Sequence, residues 1–217
     1  MLELNNISKR FDKGEDQIYV LNGVNLQVNS GEFIAVQGAS GSGKTTLLLI
    51  TGGLLHPSNG KIFFNHEDIY LMNSAELARF RALNFGFVFQ QYHLVPYLNT
   101  FENILLPGLA LRSENDNQKA INLIEMFGLS HRKHHMPGEL SAGEKQRTSL
   151  ARALLHSPKI LFADEITGNL DEDNSNIVIN ALKTYTNDGG TVLFVTHDII
   201  RAKSADRIVK IEKSKLL

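Results

Sequence analysis

The stretch that decides the fold is Phe33-Ile34-Ala35-Val36-Gln37-Gly38-Ala39-Ser40-Gly41-Ser42-Gly43-Lys44-Thr45-Thr46-Leu47-Leu48-Leu49-Ile50. An apolar run feeds a glycine loop, and the loop feeds a helix-like segment. In that setting G-x-x-x-x-G-K-T becomes a P-loop. Glycines let the backbone curl so that successive N–H groups point inward, and the helix N-terminus adds partial positive charge. The residues that would cradle nucleotide phosphates are therefore Gly38, Ala39, Ser40, Gly41, Ser42, Gly43, Lys44, Thr45 and Thr46. Lys44 would reach the β- and γ-phosphates, and the Thr45 hydroxyl would ligate Mg²⁺.

The rest of the chain must supply a core around this loop. Its 217 residues fit one large α/β domain, with 42% hydrophobic and 21% charged residues as in a globular protein. The formal net charge of −1 gives no basic field for nucleic acid. Cysteine is absent, which excludes disulfides and thiolate metal sites. Met1-Leu2-Glu3-Leu4-Asn5-Asn6 is polar where a signal peptide needs an apolar run. Phe85–Phe101 carries Gln90, Gln91, His93, Pro96 and Asn99, whereas a membrane span needs ~20 mostly apolar residues. If the chain acts on a membrane, a partner must cross the bilayer.

Outward from the loop the pattern alternates between strands and helices. Leu2-Glu3-Leu4 and Val24–Val28 alternate as half-buried strands do, and Lys61–Phe64 and Phe85–Phe89 read as further strands. From 90 to 156 helical spacing takes over. Ala120, Leu123, Ile124 and Phe127 recur on one face before Gly128, and Ser141 with Glu144 forms a capping box. Strands return at Ile160–Ala163, Thr191–Thr196 and Arg207–Ile211. The expectation is an α/β core from 1–89 and 157–217 with a helical subdomain at 90–156 inserted in it.

Chemistry gathers at strand ends. Ile160–Ala163 runs into Asp164-Glu165: Asp164 can hold the Mg²⁺ shell, and Glu165 can deprotonate a water facing the γ-phosphate. His197 ends another strand, and in a parallel sheet ligands lie beyond the carboxyl ends of the strands. Leu140-Ser141-Ala142-Gly143-Glu144-Lys145-Gln146-Arg147 places Ser and Gly at a helix N-terminus, a second anion site about a hundred residues from the first. His131, His134 and His135 have no Asp or Cys of fitting spacing, so they are not assigned to a metal.

These motifs together resemble the ATP-binding-cassette (ABC) ATPases over nearly the whole chain. Leu140–Arg147 is similar to the family's signature, Gly38–Thr45 to Walker A and Ile160–Glu165 to Walker B. Phe11 matches the aromatic that stacks on adenine, Gln90 the Q-loop residue, Asn169-Leu170-Asp171 the D-loop and His197 the switch histidine. The resemblance implies a P-loop NTPase core with an antiparallel β subdomain and an inserted helical subdomain. It also implies ATP and Mg²⁺ as ligands, with Thr45, Gln90 and Asp164 around the metal. Lys44, Gln90, Glu165 and His197 would be catalytic. By the same resemblance a homodimer would form in the ATP state, with Ser141, Gly143 and Asp171 facing the partner's nucleotide. Shorter words, including Gly86–Gln90, His93–Pro96 and Thr167–Asp171, resemble the lipoprotein-releasing and macrolide-exporter branch, which includes a cell-division ATPase. That branch implies an integral membrane permease partner and a peripheral place on the cytoplasmic face of the inner membrane. It leaves open a transporter or a regulatory ATPase that transports nothing.

Three positions depart from the family pattern. Ala142 stands where the first signature Gly is usual, Ile166 where Pro follows the Glu, and Lys213-Ser214-Lys215 where an Asp-Gly turn is usual. Finally, Tyr92, Leu94, Val95 and Tyr97 are too apolar for a solvated loop and are expected to receive a short helix of a membrane partner.

Overall fold

A computed structural model of the chain describes residues 1–13, 16–111 and 113–216. Strand β1 (Leu2–Lys13) pairs antiparallel with β2 (Asp16–Val28), with Leu2 opposite Val28 and Leu4 opposite Leu26. Leu2 and Leu4 face inward, as period-2 alternation requires. The next inward residue is Ile7, not residue 6. An irregularity in the register lies between Leu4 and Ile7, where Asn6 has φ 54 and its N–H donates to Asn25 Oδ1 at 2.9 Å. One extra residue thus moves the inward set from even to odd numbers. The strands β4 (Asn59–Phe64) and β5 (Glu67–Asp68) complete this sheet in the order β2-β1-β4-β5.

The second sheet is built on β3 (Phe33–Gln37), which enters the glycine loop and helix α1 (Lys44–Thr51). Beside it run β6 (Phe85–Phe89), β7 (Ile160–Asp164), β8 (Thr191–Thr196), β9 (Arg207–Glu212) and β10 (Lys215–Leu216), in the order β10-β9-β3-β8-β7-β6. The pairs from β9 through to β6 are parallel, and only β10 runs back. Each parallel strand feeds both faces. Ile34, Val36, Ile160 and Phe162 join the core toward the antiparallel sheet, while Phe33, Ala35, Leu161 and Ala163 join a second core on the other side. Burial on both faces is why these strands read as continuous apolar runs. Phe87 stacks on Phe89 (centroids 6.1 Å apart) and on Phe162 (5.2 Å), an aromatic ladder along the β6 edge.

Between β6 and β7 come three α-helices among the described residues: α3 (Thr100–Leu105), α4 (Asp116–Met126) and α5 (Ala142–Leu154). Ile104, Ala120, Ile124, Leu150 and Leu154 from these helices pack into the second core, so this segment is joined to the sheet by apolar contact.

Two helices of more than ten residues are not predicted by the sequence pattern. The first is α2 (Ser74–Asn84). Asn73 Oδ1 accepts from the N–H groups of Ala75 and Glu76, and Glu76 returns a bond to Asn73 N–H at 2.9 Å. Its capping box is visible as Asn73-x-x-Glu76, but its apolar side is sparse: Leu77 is buried in the core, and Phe80 is set edge-on to Phe64 and Phe85. The second, α6 (Glu172–Asn187), buries Val178, Ile179 and Leu182 against the second core.

The missing Asp-Gly turn still forms. Lys213 (φ 47) and Ser214 (φ 66) both take the left-handed region between β9 and β10. Compensation comes from Ser214, whose carbonyl accepts from Asn22 N–H at 2.7 Å and whose hydroxyl donates to Tyr19 O at 2.7 Å. Lys213 has an exposed side chain that occupies a conformation Asn tolerates better. Lys213→Asn should therefore raise the thermal midpoint by about 1–3 °C. An unchanged or lower midpoint would show that the turn carries no conformational strain.

Candidate functional site

Parallel pairing brings the chemistry-bearing strand ends to one edge. Gln37 lies opposite Thr196, and Asp164 lies opposite both Val195 and Phe89. The residues that follow are Gly38, His197, Glu165 and Gln90, from four neighbouring strands.

The glycine loop closes onto α1 through Gly43, at φ 100. A Cβ there would stand 2.7 Å from Val20 O in β2, so the loop packs against the antiparallel sheet only because this residue has no side chain. Lys44 follows and is 4% exposed. Its ammonium donates to Gly38 O at 3.0 Å and Ala39 O at 2.9 Å, and lies 3.2 Å from Glu165 Oε1. Thr45 Oγ1 donates to Asp164 Oδ1 at 3.1 Å. A hydroxyl and a carboxylate side by side are hard oxygen donors of the kind Mg²⁺ takes. Burial pushes the Asp164 carboxyl above its ordinary range, as does the Glu165 charge; the Thr45 hydrogen bond and Lys44 pull the other way.

Glu165 has φ 47, a left-handed conformation that a Glu adopts only when its surroundings impose it. Here its N–H donates to Val195 O at 2.9 Å, and its carbonyl accepts from Gly168 N–H at 3.0 Å. The side chain thereby turns to meet Lys44 through Oε1 and His197 Nδ1 through Oε2, the latter at 3.0 Å. The turn beyond His197 is pinned by Asp198, which accepts from Ile200 N–H and Arg201 N–H at the start of α7 (Ile199–Ala202). Gln90 places its amide beside Gly168. Phe11 lies opposite Ile18 on the hairpin that packs against Gly43, and its ring is 44% exposed. An open cavity of about 540 Å³ adjoins the loop, lined by Gly38, Ala39, Ser42, His197, Lys210 and Lys213 among others.

Ser141, Gly143 and Asp171 lie apart from this cluster. Ser141 caps α5: its hydroxyl accepts from Glu144 N–H at 3.2 Å, and Glu144 Oε2 accepts from Ser141 N–H at 2.7 Å. Arg132 Nε donates to Glu144 Oε1 at 2.8 Å, and His131 stands 3.6 Å from the same oxygen. Burial would raise the Glu144 pKa, but the Ser141 and Arg132 contacts outweigh it and hold it at about 2. Ser141 and Ala142 are exposed, so the Ala142 methyl points to the surface. Ile166 is 1% exposed and packs in the second core; nothing in the structure explains why Ile stands there in place of Pro.

Two residues carry contacts that no sequence signal announced. Arg152 on α5 donates to His93 O at 2.7 Å and to Tyr92 O at 2.8 Å, holding two consecutive left-handed residues (φ 46 and 36) just after Gln90. Asn174, in the first turn of α6, touches Asp171, Arg147 and Gly143 at once.

A P-loop beside a strand ending in Asp-Glu, with a Ser-capped, glycine-containing helix end in an inserted helical segment, defines a cassette-type ATPase. The ABC transporter family model matches residues 21–168, and the chain belongs to that family. It is 40% identical over its whole length to a macrolide export ATP-binding/permease protein, MacB, of Pasteurella multocida (strain Pm70), and covers 34% of that protein. The corresponding protein of Burkholderia lata is 41% identical, again over the whole chain and 32% of the relative. The chain thus spans about a third of the length of these relatives. Among solved structures, it superposes on a dimeric ATP-binding cassette in a post-hydrolysis state with ADP and Pi. The TM-score is 0.93 with 36% identity, covering 100% of this chain and 96% of the other.

Removing the buried cation should empty the site of nucleotide. Lys44→Ala is expected to abolish the thermal shift that MgATP gives the wild type, and a wild-type shift would contradict the assignment. Because the Asp164 pKa is raised from 3.8, protons compete for this carboxylate at a higher pH than for an ordinary Asp. The Mg²⁺-dependent part of the ATP shift should therefore fade on acidification before ordinary aspartates titrate, and Asp164→Asn should lack it at every pH.

Proposed function

We propose that this chain hydrolyses ATP in a head-to-tail pair of cassettes and drives an integral membrane permease, of the macrolide-export or lipoprotein-release type. The observation that carries this reading is that the Lys44 cluster and the Ser141 helix end share no hydrogen bond or ion pair among the described residues of one chain. The Lys44–Thr45–Asp164–Glu165–His197 cluster forms half of a nucleotide site, and the exposed Ser141 end of α5 can complete that half in another copy. The post-hydrolysis dimer of the similar cassette supports the pairing.

In this reading Phe11 stacks on the adenine, and the loop N–H groups with Lys44 hold the phosphates. Thr45, Asp164 and Gln90 would hold Mg²⁺, which would supply charge neutralisation for the phosphates when bound. Glu165 turns from Lys44 to a water in line with the γ-phosphate and takes its proton; His197 orients the same water or a phosphate oxygen. Ser141 and Gly143 of the partner close the site, with the partner's Asp171 turn beside them. The pair closes with ATP and reopens after hydrolysis, and the helical segment 90–156 moves with it.

No helix among the described residues is long and apolar enough to cross a membrane. A peripheral position on the cytoplasmic face of the inner membrane follows from the proposed permease. The surface that would receive it is the segment after Gln90. Tyr97 is 78% exposed, and Tyr92, Leu94 and Val95 are partly so. Asn103 steadies the segment by accepting from Val95 N–H at 2.8 Å and donating to Leu98 O at 2.7 Å.

Two measurements test this. Glu165→Gln should keep ATP binding, lower hydrolysis by about a hundredfold or more, and run as a dimer on gel filtration only with ATP. A persistent monomer at saturating ATP would end the head-to-tail model. Leu94→Ser with Tyr97→Ser should leave the isolated ATPase nearly unchanged but weaken co-purification with the permease, since apolar anchors at interface centres commonly contribute ~2 kcal/mol each. Collapse of the isolated ATPase with assembly intact would make these residues core instead.

A further inference from the structure

Gly143 is buried, although it stands in the first turn of a helix whose neighbours Ser141 and Ala142 are exposed. A Cβ on Gly143 would fall on the carboxamide of Asn174, 2.9 Å from Nδ2 and closer still to the other amide atoms. That carboxamide is held from two sides. Asn174 Oδ1 accepts from Arg147 NH1, one helical turn along α5. Asn174 Nδ2 donates to both carboxylate oxygens of Asp171, at 2.9 and 2.8 Å, and its backbone N–H donates to Asp171 Oδ1 at 2.7 Å. Arg147 can only donate and an ionised Asp171 can only accept, so the amide has one orientation that satisfies both. The Asn174 hydrogen bonds also hold the Asp171 carboxyl below its ordinary range.

We propose that Asn174 is a positioning residue that locks the Ser141 end of α5 to the Asp171 turn, and that Gly143 lacks a side chain to admit this lock. The proposal rests on the head-to-tail reading. Asp171 lies six residues past Glu165, and the intervening chain is tightened by Gly168 N–H to Glu165 O at 3.0 Å and Leu170 N–H to Thr167 O at 3.2 Å. Through these turns and Asn174, the backbone of Glu165 is tied to the helix end that each chain offers to its partner. The base of one nucleotide site and the cap of the other then shift as one body. An open-sided alternative exists for Gly143: its bareness lets the partner's nucleotide approach. The Cβ direction distinguishes the two, since in this structure it is filled by Asn174.

The test is a double-mutant cycle in the Glu165→Gln background, read as the ATP concentration for half-maximal dimerisation, with kcat, KM and the Hill coefficient measured in the Glu165 chain. Asn174→Ala should leave nucleotide binding by the monomer unchanged, raise the half-maximal ATP concentration about tenfold and lower the Hill coefficient. Asn174→Asp keeps the contact with Arg147, loses the donor to Asp171, and should act in the same direction. Gly143→Ala should impair dimerisation alone but add nothing once Asn174 is Ala. An equal Gly143→Ala effect in both backgrounds would overturn the proposal, because the missing side chain of Gly143 would then make room for the nucleotide and not for Asn174. Normal dimerisation and cooperativity in both Asn174 variants would overturn it as well. If Glu165→Gln alone fails to dimerise with ATP, the head-to-tail reading itself falls and takes the lock with it.

Discussion

A buried ammonium has to be surrounded by oxygen, and the arrangement of this site follows from how Lys44 meets that need. Two loop carbonyls and the Glu165 carboxylate supply it. A phosphate entering the loop brings its own oxygens and competes with Glu165 for the same cation. Glu165 released in this way is free to face a water, and His197, its other partner, is already beside it. In the proposed mechanism, one charge balance would thus link occupation of the loop to arming of the base. It depends on the parallel sheet, because only strands pointing the same way can deliver Lys44, Glu165 and His197 to one edge.

The helical segment gives that edge a second output. α5 shares the second core with the sheet, yet its N-terminal end and the segment after Gln90 both face outward. Arg152 joins these two surfaces by holding the Tyr92 and His93 carbonyls from the body of α5. A push on the post-Gln90 segment would therefore be felt along the same helix that carries Ser141. Glu144 adds rigidity there, with one oxygen on the helix cap and the other on Arg132.

Much of this was legible in the sequence. The glycine loop, the Asp164-Glu165 strand end and the Ser141–Glu144 box are local: a few adjacent residues fix both backbone path and chemistry. The family pattern then ordered Phe11, Gln90 and His197 around them. What escaped reading depends on distant partners. α2 lacks a strong apolar stripe and is held through Phe80 against two strands. Arg152 reads as an ordinary basic residue because its acceptors are backbone carbonyls sixty residues earlier. Asn174 gains meaning only when Gly143 is placed against it. The Lys213-Ser214 turn breaks the local rule and survives on hydrogen bonds from β2.

The aromatic ladder on β6 has a consequence outside the working cycle. Phe85-Gly86-Phe87-Val88-Phe89 is an edge strand, uncharged and strongly apolar, and no further strand pairs with it among the described residues. Folded, it is shielded by helix packing, including Phe80 of α2 against Phe85. α2 belongs to this shield through Leu77 and Phe80, and through Arg81, which donates to Gly53 O at 2.8 Å. Once the shield lifts, the strand can pair with its counterpart in another molecule, and stacked phenyl rings favour such self-association. Loss of the folded state on heating would then end in aggregates, so the lifetime of this cassette at elevated temperature is governed by an opening rate as well as by an equilibrium.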